Sequence, residues 1–307
     1  MKRFKSLLVA VDPDMLPAPG VALPGELLSL LEGVSRLAAH SGAAITVMSV
    51  TPEGSGADEL VSEAVDARLA EHVLPLLRGA GEGAGDVACV VTHGTAYMEI
   101  TRQVLRAGHD LLALGARRPE AGKPIVGSSA TQLIRKCPCP VWVASRAPRE
   151  IGPRVVLSAV ALHALSTTVL EMSASLVELR GGEWHVLHVP EYPHEGGMRL
   201  RGVDADEIQA YEKSCRDEAF AQLHAMVDPL AEQMGVTPKL WMAEGRAYEQ
   251  IAQAEQRLGA DLVVMGTVGR AGLAGMVIGN TAERALRLVE SSLLTIKPTG
   301  FVSPVEL

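Results

Sequence analysis

The chain has 307 residues, 48% hydrophobic and 21% charged, the balance of an ordinary globular protein with one large or two average domains. A net charge of −8 without a sustained basic run argues against a nucleic-acid partner, and 3% aromatic residues are too few for a base-stacking platform. Four cysteines are too few for a disulfide scaffold, no apolar stretch is long enough to cross a bilayer, and the first apolar run stops at Asp12, too early for a signal peptide. The expectation is a cytoplasmic protein engaging neither nucleic acid nor membrane.

Residues 7–11 form an apolar run between Lys5 and Asp12, which predicts a buried strand. Residues 26–42 carry apolar side chains at helical spacing and end on a capping glycine. A β-branched strand follows at 43–50, then one long amphipathic helix over 57–79. Strand 87–94, helix 96–108, strand 110–115, short helix 128–137 and strand 140–145 complete a first unit. Residues 145–154 are rich in proline and charge and read as a linker.

The same order then recurs. Strand 155–160, helix 166–182 and strand 183–189 precede a long helix near 206–234. Strand 238–245, helix 247–258, strand 261–266, helix 281–289 and strand 292–298 follow. The pairs Gly94/Gly245, Tyr97/Tyr248, Ile100/Ile251, Asp110/Asp261 and Gly115/Gly266 keep one offset of 151 residues, so the chain is a tandem duplication, with units expected at 1–147 and 153–307. Strands alternating with helices, and apolar runs that are continuous, indicate parallel sheets covered on both faces. Each unit is therefore predicted to be a doubly wound α/β domain.

Between strand 261–266 and the next helix stand Gly266, Gly269, Gly272, Gly275 and Gly279, followed by Asn280 and Thr281. In open α/β sheets ligands bind beyond the carboxyl ends of strands, glycine lets a ligand approach bare backbone, and a helix N-terminus offers free N–H groups to an anion. The segment reads as a phosphate cradle, against the simpler reading of a glycine-rich connection with a capping glycine. It is not a Walker loop, since no Lys-Ser/Thr pair follows the last glycine.

Gly266-Thr-Val-Gly269, nine residues, then Gly279-Asn280-Thr281 resembles the nucleotide loop of the universal stress proteins. The closing stretch "CPCPVWVAS" and the "LHV" at Leu187–Val189 are also similar to that family, and the two-unit layout resembles its tandem members. The resemblance implies two flavodoxin-like (HUP-like) domains packed as an internal pseudo-dimer through their last strands, with a further homodimer left open. It implies a stress-response protein binding ATP or another nucleotide or small phosphorylated ligand, without strong catalysis. A ligand-free interaction scaffold and a slow ATP hydrolase are the alternatives.

Departures from the family pattern divide the roles between the units. Nucleotide-binding members carry an Asp at the end of the first strand, and the first unit has Asp12 there while the second has Ala161. The second unit keeps the cradle, with Gly266, Val268, Gly269, Arg270, Gly279, Asn280 and Thr281 as candidate ligand residues. In the first unit Gly115 is followed by Ala116, Arg117 and Arg118, and only Gly127, Ser128 and Ser129 survive beyond the loop. Asp12, Gly115, Gly127, Ser128 and Ser129 therefore form a vestigial site, and the second unit should hold phosphate while reading the base poorly; a nucleotide-sugar fits that description too.

The remaining candidates have plainer readings. His185 and His188, with His163 and His194 near in sequence, meet no metal-ligand spacing, and residues three apart on a strand face opposite ways, so no metal is expected. Cys137-Pro-Cys139 reads as buried thiols near a turn, Tyr97 and Tyr248 as packing, and Arg117, Arg118 and Lys123 as a solvated segment. No nucleophile–base pair is evident, so no catalytic residue is assigned.

Overall fold

The structure is a computed structural model and describes residues 4–53, 58–78, 85–116, 126–145, 155–267 and 278–307. The first copy runs β1 (Ser6–Ala10), α1 (Gly25–Ser41), β2 (Ala44–Thr51), α2 (Asp58–His72), α3 (Leu74–Arg78), β3 (Val87–His93), α4 (Ala96–Ala107), β4 (Leu111–Gly115), α5 (Ser128–Lys136) and β5 (Val141–Ala144). The second runs β6 (Val155–Val160), α6 (Ala164–Arg180), β7 (Glu183–His188), α7 (Glu195–Leu200), α8 (Ala205–Met234), β8 (Pro238–Met242), α9 (Ala247–Leu258), β9 (Leu262–Gly266), α10 (Asn280–Leu288) and β10 (Ser292–Ile296).

These strands form one ten-stranded sheet in the order β3-β2-β1-β4-β5-β10-β9-β6-β7-β8. Among the described residues every pairing within a copy is parallel, and only β5 and β10 pair antiparallel, with Leu294 opposite Trp142. The closing strands thus join the copies edge to edge, which hides one exposed edge of each. Alternate residues point to opposite faces. Leu7, Val9, Leu111, Trp142, Val264 and Leu294 face one core, with α1, α2, α3, α6 and α8 over it; Leu8, Leu112, Val141, Val143, Val263 and Leu293 face the other, with α4, α5, α9 and α10.

The repeated residues have identifiable structural work. The Asp110 carboxylate accepts from the backbone N–H groups of Lys5 and Ser6, and Asp261 likewise accepts from Val155, so each aspartate fixes the start of its copy's central strand. Gly94 and Gly245 turn into α4 and α9 at φ of 136° and 108°, which side-chain-bearing residues rarely adopt.

The long helix expected over 57–79 is instead two helices, α2 and α3, separated at Val73. Pro75 explains the break: it lacks an N–H, and its ring collides with the carbonyl four residues earlier in a continuing helix. Pro229 lies within α8 without ending it. A 3-10 turn at Pro13–Met15 and the short α7 are further elements beyond the expected set.

Candidate functional site

In each copy the strand order reverses between its first and fourth strands, which leaves a crevice at their carboxyl ends. The first copy brings Asp12, Gly115 and Gly127 to that end of the sheet. Asp12 is exposed, and its Oδ1 accepts from the N–H of Asp14 at 3.0 Å, so the carboxylate caps the 3-10 turn. That turn carries Met15 toward the crevice, where its sulfur lies 3.6 Å from the place a Cβ would take on Gly115. Gly127 caps α5, and Ser128 and Ser129 begin that helix with exposed side chains.

The second copy has a barer crevice on its first-strand side. Three residues, Ala161 to His163, connect β6 to α6, where residues 11–24 connect β1 to α1. Leu162 adopts φ 50°, the one positive φ outside glycine among the described residues, a strained value for a residue with a Cβ. His163 Nδ1 accepts from the N–H of Leu165 at 3.2 Å and caps α6. Register equates Ala161 with Asp12: Leu7 pairs with Leu111, and Val156 pairs with Leu262 in the same geometry.

At the end of β9, Thr267 is fully buried and its N–H donates to the Ile296 carbonyl. The Gly279 N–H donates to the Thr267 carbonyl at 2.7 Å, which ties the start of α10 to the end of β9. The first intrahelical bond is Glu283 N–H to the Gly279 carbonyl. The amides of Asn280, Thr281 and Ala282 precede it, and a glycine cap brings no side chain to satisfy them. Asn280 and Thr281 are exposed. Val268, Gly269 and Arg270 lie outside the described residues, as do Arg117, Arg118 and Lys123.

Sequence reasoning missed the charge next to this helix start. Glu283 sits in the first turn of α10, and Arg135 of α5 reaches across from the first copy to pair with it, while Arg287 stands 3.7 Å away. The two cations offset a negative charge that would otherwise oppose an anion there. Only the fold could reveal Arg135, which is 148 positions from its partner. Where the copies meet, an apolar cavity of ≈ 280 Å³ opens between α1 and α6, walled by Phe4, Gly33, Leu37, Trp142, Leu179 and Leu294, with Arg36 among its lining.

The histidines are engaged by protein. Trp241 Nε1–H donates to His185 Nδ1 at 2.9 Å, and His185 Nε2 bonds Glu183 at 3.1 Å. His188 Nδ1 bonds the Val160 carbonyl at 2.8 Å, and the His194 ring lies against Tyr211. Among the described residues no group of three His, Cys, Asp or Glu side chains could hold a metal ion, and no helix is long and apolar enough to cross a membrane. Tyr97 and Tyr248 pack against the α4/α9-side core, with Lys136 and Arg284 over their rings at 4.4 and 5.0 Å.

The model of the universal stress protein family matches residues 4–145 and again 153–297. Universal stress protein E of Photorhabdus laumondii is 26% identical over 100% of this chain and 99% of its own. The protein of the same name from Escherichia coli K12 is 29% identical over 71% of this chain and 70% of its own. A putative universal stress protein from Pseudomonas aeruginosa shares the fold at TM-score 0.68 and 22% identity, covering 97% of this chain and 94% of its own. One from Archaeoglobus fulgidus does so at TM-score 0.65 and 18% identity, covering 96% and 99%. With both copies matched and the α/β architecture shared end to end, the chain belongs to the universal stress protein family, as a tandem pair of its domains.

Proposed function

We propose that this stress-response protein works in the cytoplasm by binding a nucleotide or related phosphorylated ligand, chiefly in the second copy, and without strong catalysis. The observation that carries this reading is the start of α10. Three amides without intrahelical partners follow Gly279, beside exposed Asn280 and Thr281, at the carboxyl end of β9. A helix start of this kind favours an anion through both its free donors and its partial positive charge. Gly266, Val268, Gly269, Arg270, Gly279, Asn280 and Thr281 are the proposed contacts, with Arg270 as a charged clamp.

Ala161 in place of an acid predicts weak discrimination of the base. A missing charged hydrogen bond is worth about 1.5–3 kcal/mol, or roughly tenfold to a hundredfold in affinity. In the first copy, Asp12 caps a turn and Met15 lies on Gly115, which supports a vestigial site there.

Titration calorimetry with ATP, GTP, a nucleotide-sugar and pyrophosphate tests the proposal. Gly279 has φ −80° and ψ 152°, which valine adopts readily, so Gly279→Val blocks the approach without straining the backbone. The expected result is one site, ATP and GTP within about tenfold of each other, and a loss of at least about tenfold in Gly279→Val. Gly127→Val should leave binding unchanged. Absence of binding by every ligand, together with native mass spectrometry showing no co-purified molecule, would favour a scaffold that works through its surfaces alone.

A further inference from the structure

Cys137 and Cys139 flank Pro138 where α5 gives way to β5, and their sulfurs stand 3.5 Å apart. Cys137 is fully buried and Cys139 is 6% exposed. The third member comes from the other copy: Lys297, 7% exposed, follows β10 and donates from Nζ to the Arg135 carbonyl at 2.9 Å. Its ammonium also lies 4.2 Å from the centre of the Phe301 ring. Phe301 belongs to a C-terminal strap that crosses onto the first copy, where Arg102 Nε–H donates to the Glu306 carbonyl and Val305 is buried. The equivalent positions of the second copy are Val289 and Ser291, and Lys297 is matched by Ser145. The cluster therefore exists once, at the seam.

We propose that Cys137, Cys139 and Lys297 form a dithiol site that reacts with hydrogen peroxide and closes reversibly to a disulfide. A thiol pair in contact needs a thiolate, a second sulfur within reach and a group to move protons. The Cys139 S–H contact lowers the Cys137 thiol against the opposing effect of burial, with the Cys139 backbone N–H and lastly the Lys297 charge adding to it, while the same contact and burial push Cys139 up. Burial brings Lys297 down to about 8, so it exchanges protons near neutral pH.

In the first step the Cys137 thiolate attacks one peroxide oxygen and the O–O bond breaks. The departing hydroxide takes a proton from the Lys297 ammonium and leaves as water, and Cys137 becomes a sulfenic acid. The Cys139 thiol then gives its proton to the Lys297 amine, and its thiolate attacks the Cys137 sulfur. Hydroxide leaves and takes that proton as a second water. Two thiols are oxidised and one peroxide is reduced to two waters. The burial of both sulfurs restricts the oxidant to a molecule little larger than water, so bulky hydroperoxides and glutathione disulfide should react far more slowly. This proposal does not depend on ligand binding at the glycine loops.

The test treats the full chain with hydrogen peroxide in its folded state, quenches it in acid, unfolds it and alkylates the remaining thiols. Trypsin releases both cysteines in one peptide, residues 137–146. The expected product is that peptide lacking two hydrogens and taking up no alkyl group, restored by dithiothreitol, and formed at least about tenfold faster than with tert-butyl hydroperoxide. Cys139→Ser should trap a Cys137 sulfenic acid that dimedone captures. Lys297→Met should slow the reaction about tenfold at pH 7, and Lys297→Arg should not restore it, because arginine cannot take up the proton. The proposal is overturned if the peptide stays fully alkylated after Cys215 has been oxidised. Equal rates for the bulky hydroperoxide, or for the urea-unfolded chain, overturn it as well.

Discussion

At the end of β1 the chain winds through a 3-10 turn and further residues before α1, whereas at the end of β6 it enters α6 almost at once. The first route lays Met15 on Gly115 and uses Asp12 to cap a turn; the second passes through Ala161, the strained Leu162 and the capping His163. The same contrast runs through the packing. Ile45 of the first copy stands where the second has Trp184, and Val9 where it has Ser158, and the Trp184 Nε1–H donates to Ser158 Oγ at 2.9 Å. Val104 stands where the second has Glu255, and Gly33 where it has Met172. The sheet tolerates either solution because backbone pairing is identical; the side chains decide what each crevice can receive.

The largest effect should come from Trp184→Ala. A fully buried ring removed from the core costs about 3–5 kcal/mol, read as a lower urea midpoint, and Ser158 would lose its donor partner as well. A loss below about 1 kcal/mol would show that the second copy's core does not limit the stability of the chain.

Gly33→Ala tests the seam. A Cβ there would collide with Cη2 of Trp142, so the ring must move, at about 1–3 kcal/mol. Adding Trp142→Leu, the residue type at the equivalent Leu294, should recover most of that loss; no recovery would mean that the clash is not the cause.

Glu255 gives a pH signature. Its Oε1 accepts from the N–H groups of Glu290 and Ser291, while burial raises its carboxyl above the ordinary value near 4.5. The folded state then holds a proton that the unfolded state has released, so stability falls as pH rises from about 4.5 through the folded value. Thermal melts between pH 4 and 7 should show this decline in the wild type and a flatter profile in Glu255→Gln. Parallel profiles would remove Glu255 from the account.

The smallest effect belongs to the partly exposed Arg135–Glu283 pair. Glu283→Gln should change stability by under about 1 kcal/mol while strengthening anion binding at α10, because it removes the negative charge and frees Arg135. Weaker pyrophosphate binding in that variant would contradict the placement of the anion.

Much of this fold was legible in the sequence. The continuous apolar runs from Leu7 and from Leu262 mark strands buried on both faces, and the constant offset between Gly94 and Gly245 marks the duplication. The joining of the copies through their closing strands followed from the family resemblance, and β5 and β10 do pair. Local chemistry overrode periodicity at Pro75, which splits the long helix, while Asp12, singled out through the resemblance, caps a turn. Contacts across the seam left no local trace. Lys297 meets the Arg135 carbonyl 162 positions away, and nothing near either residue in the sequence signals the meeting. At the candidate site, spacing located Gly279 and the start of α10, but not the Arg135–Glu283 pair beside them.

The antiparallel meeting of β5 and β10 has a consequence for how such a protein changes over time. In a dimer of identical chains every substitution arrives twice, so its energetic penalty doubles and neither subunit can abandon a site alone. Here both halves are encoded in one polypeptide, their association survives dilution, and a mutation falls on one half only. The arrangement lets one half keep an inherited pocket while the other gathers unmatched residues, such as a thiol pair, at a boundary that symmetry no longer governs.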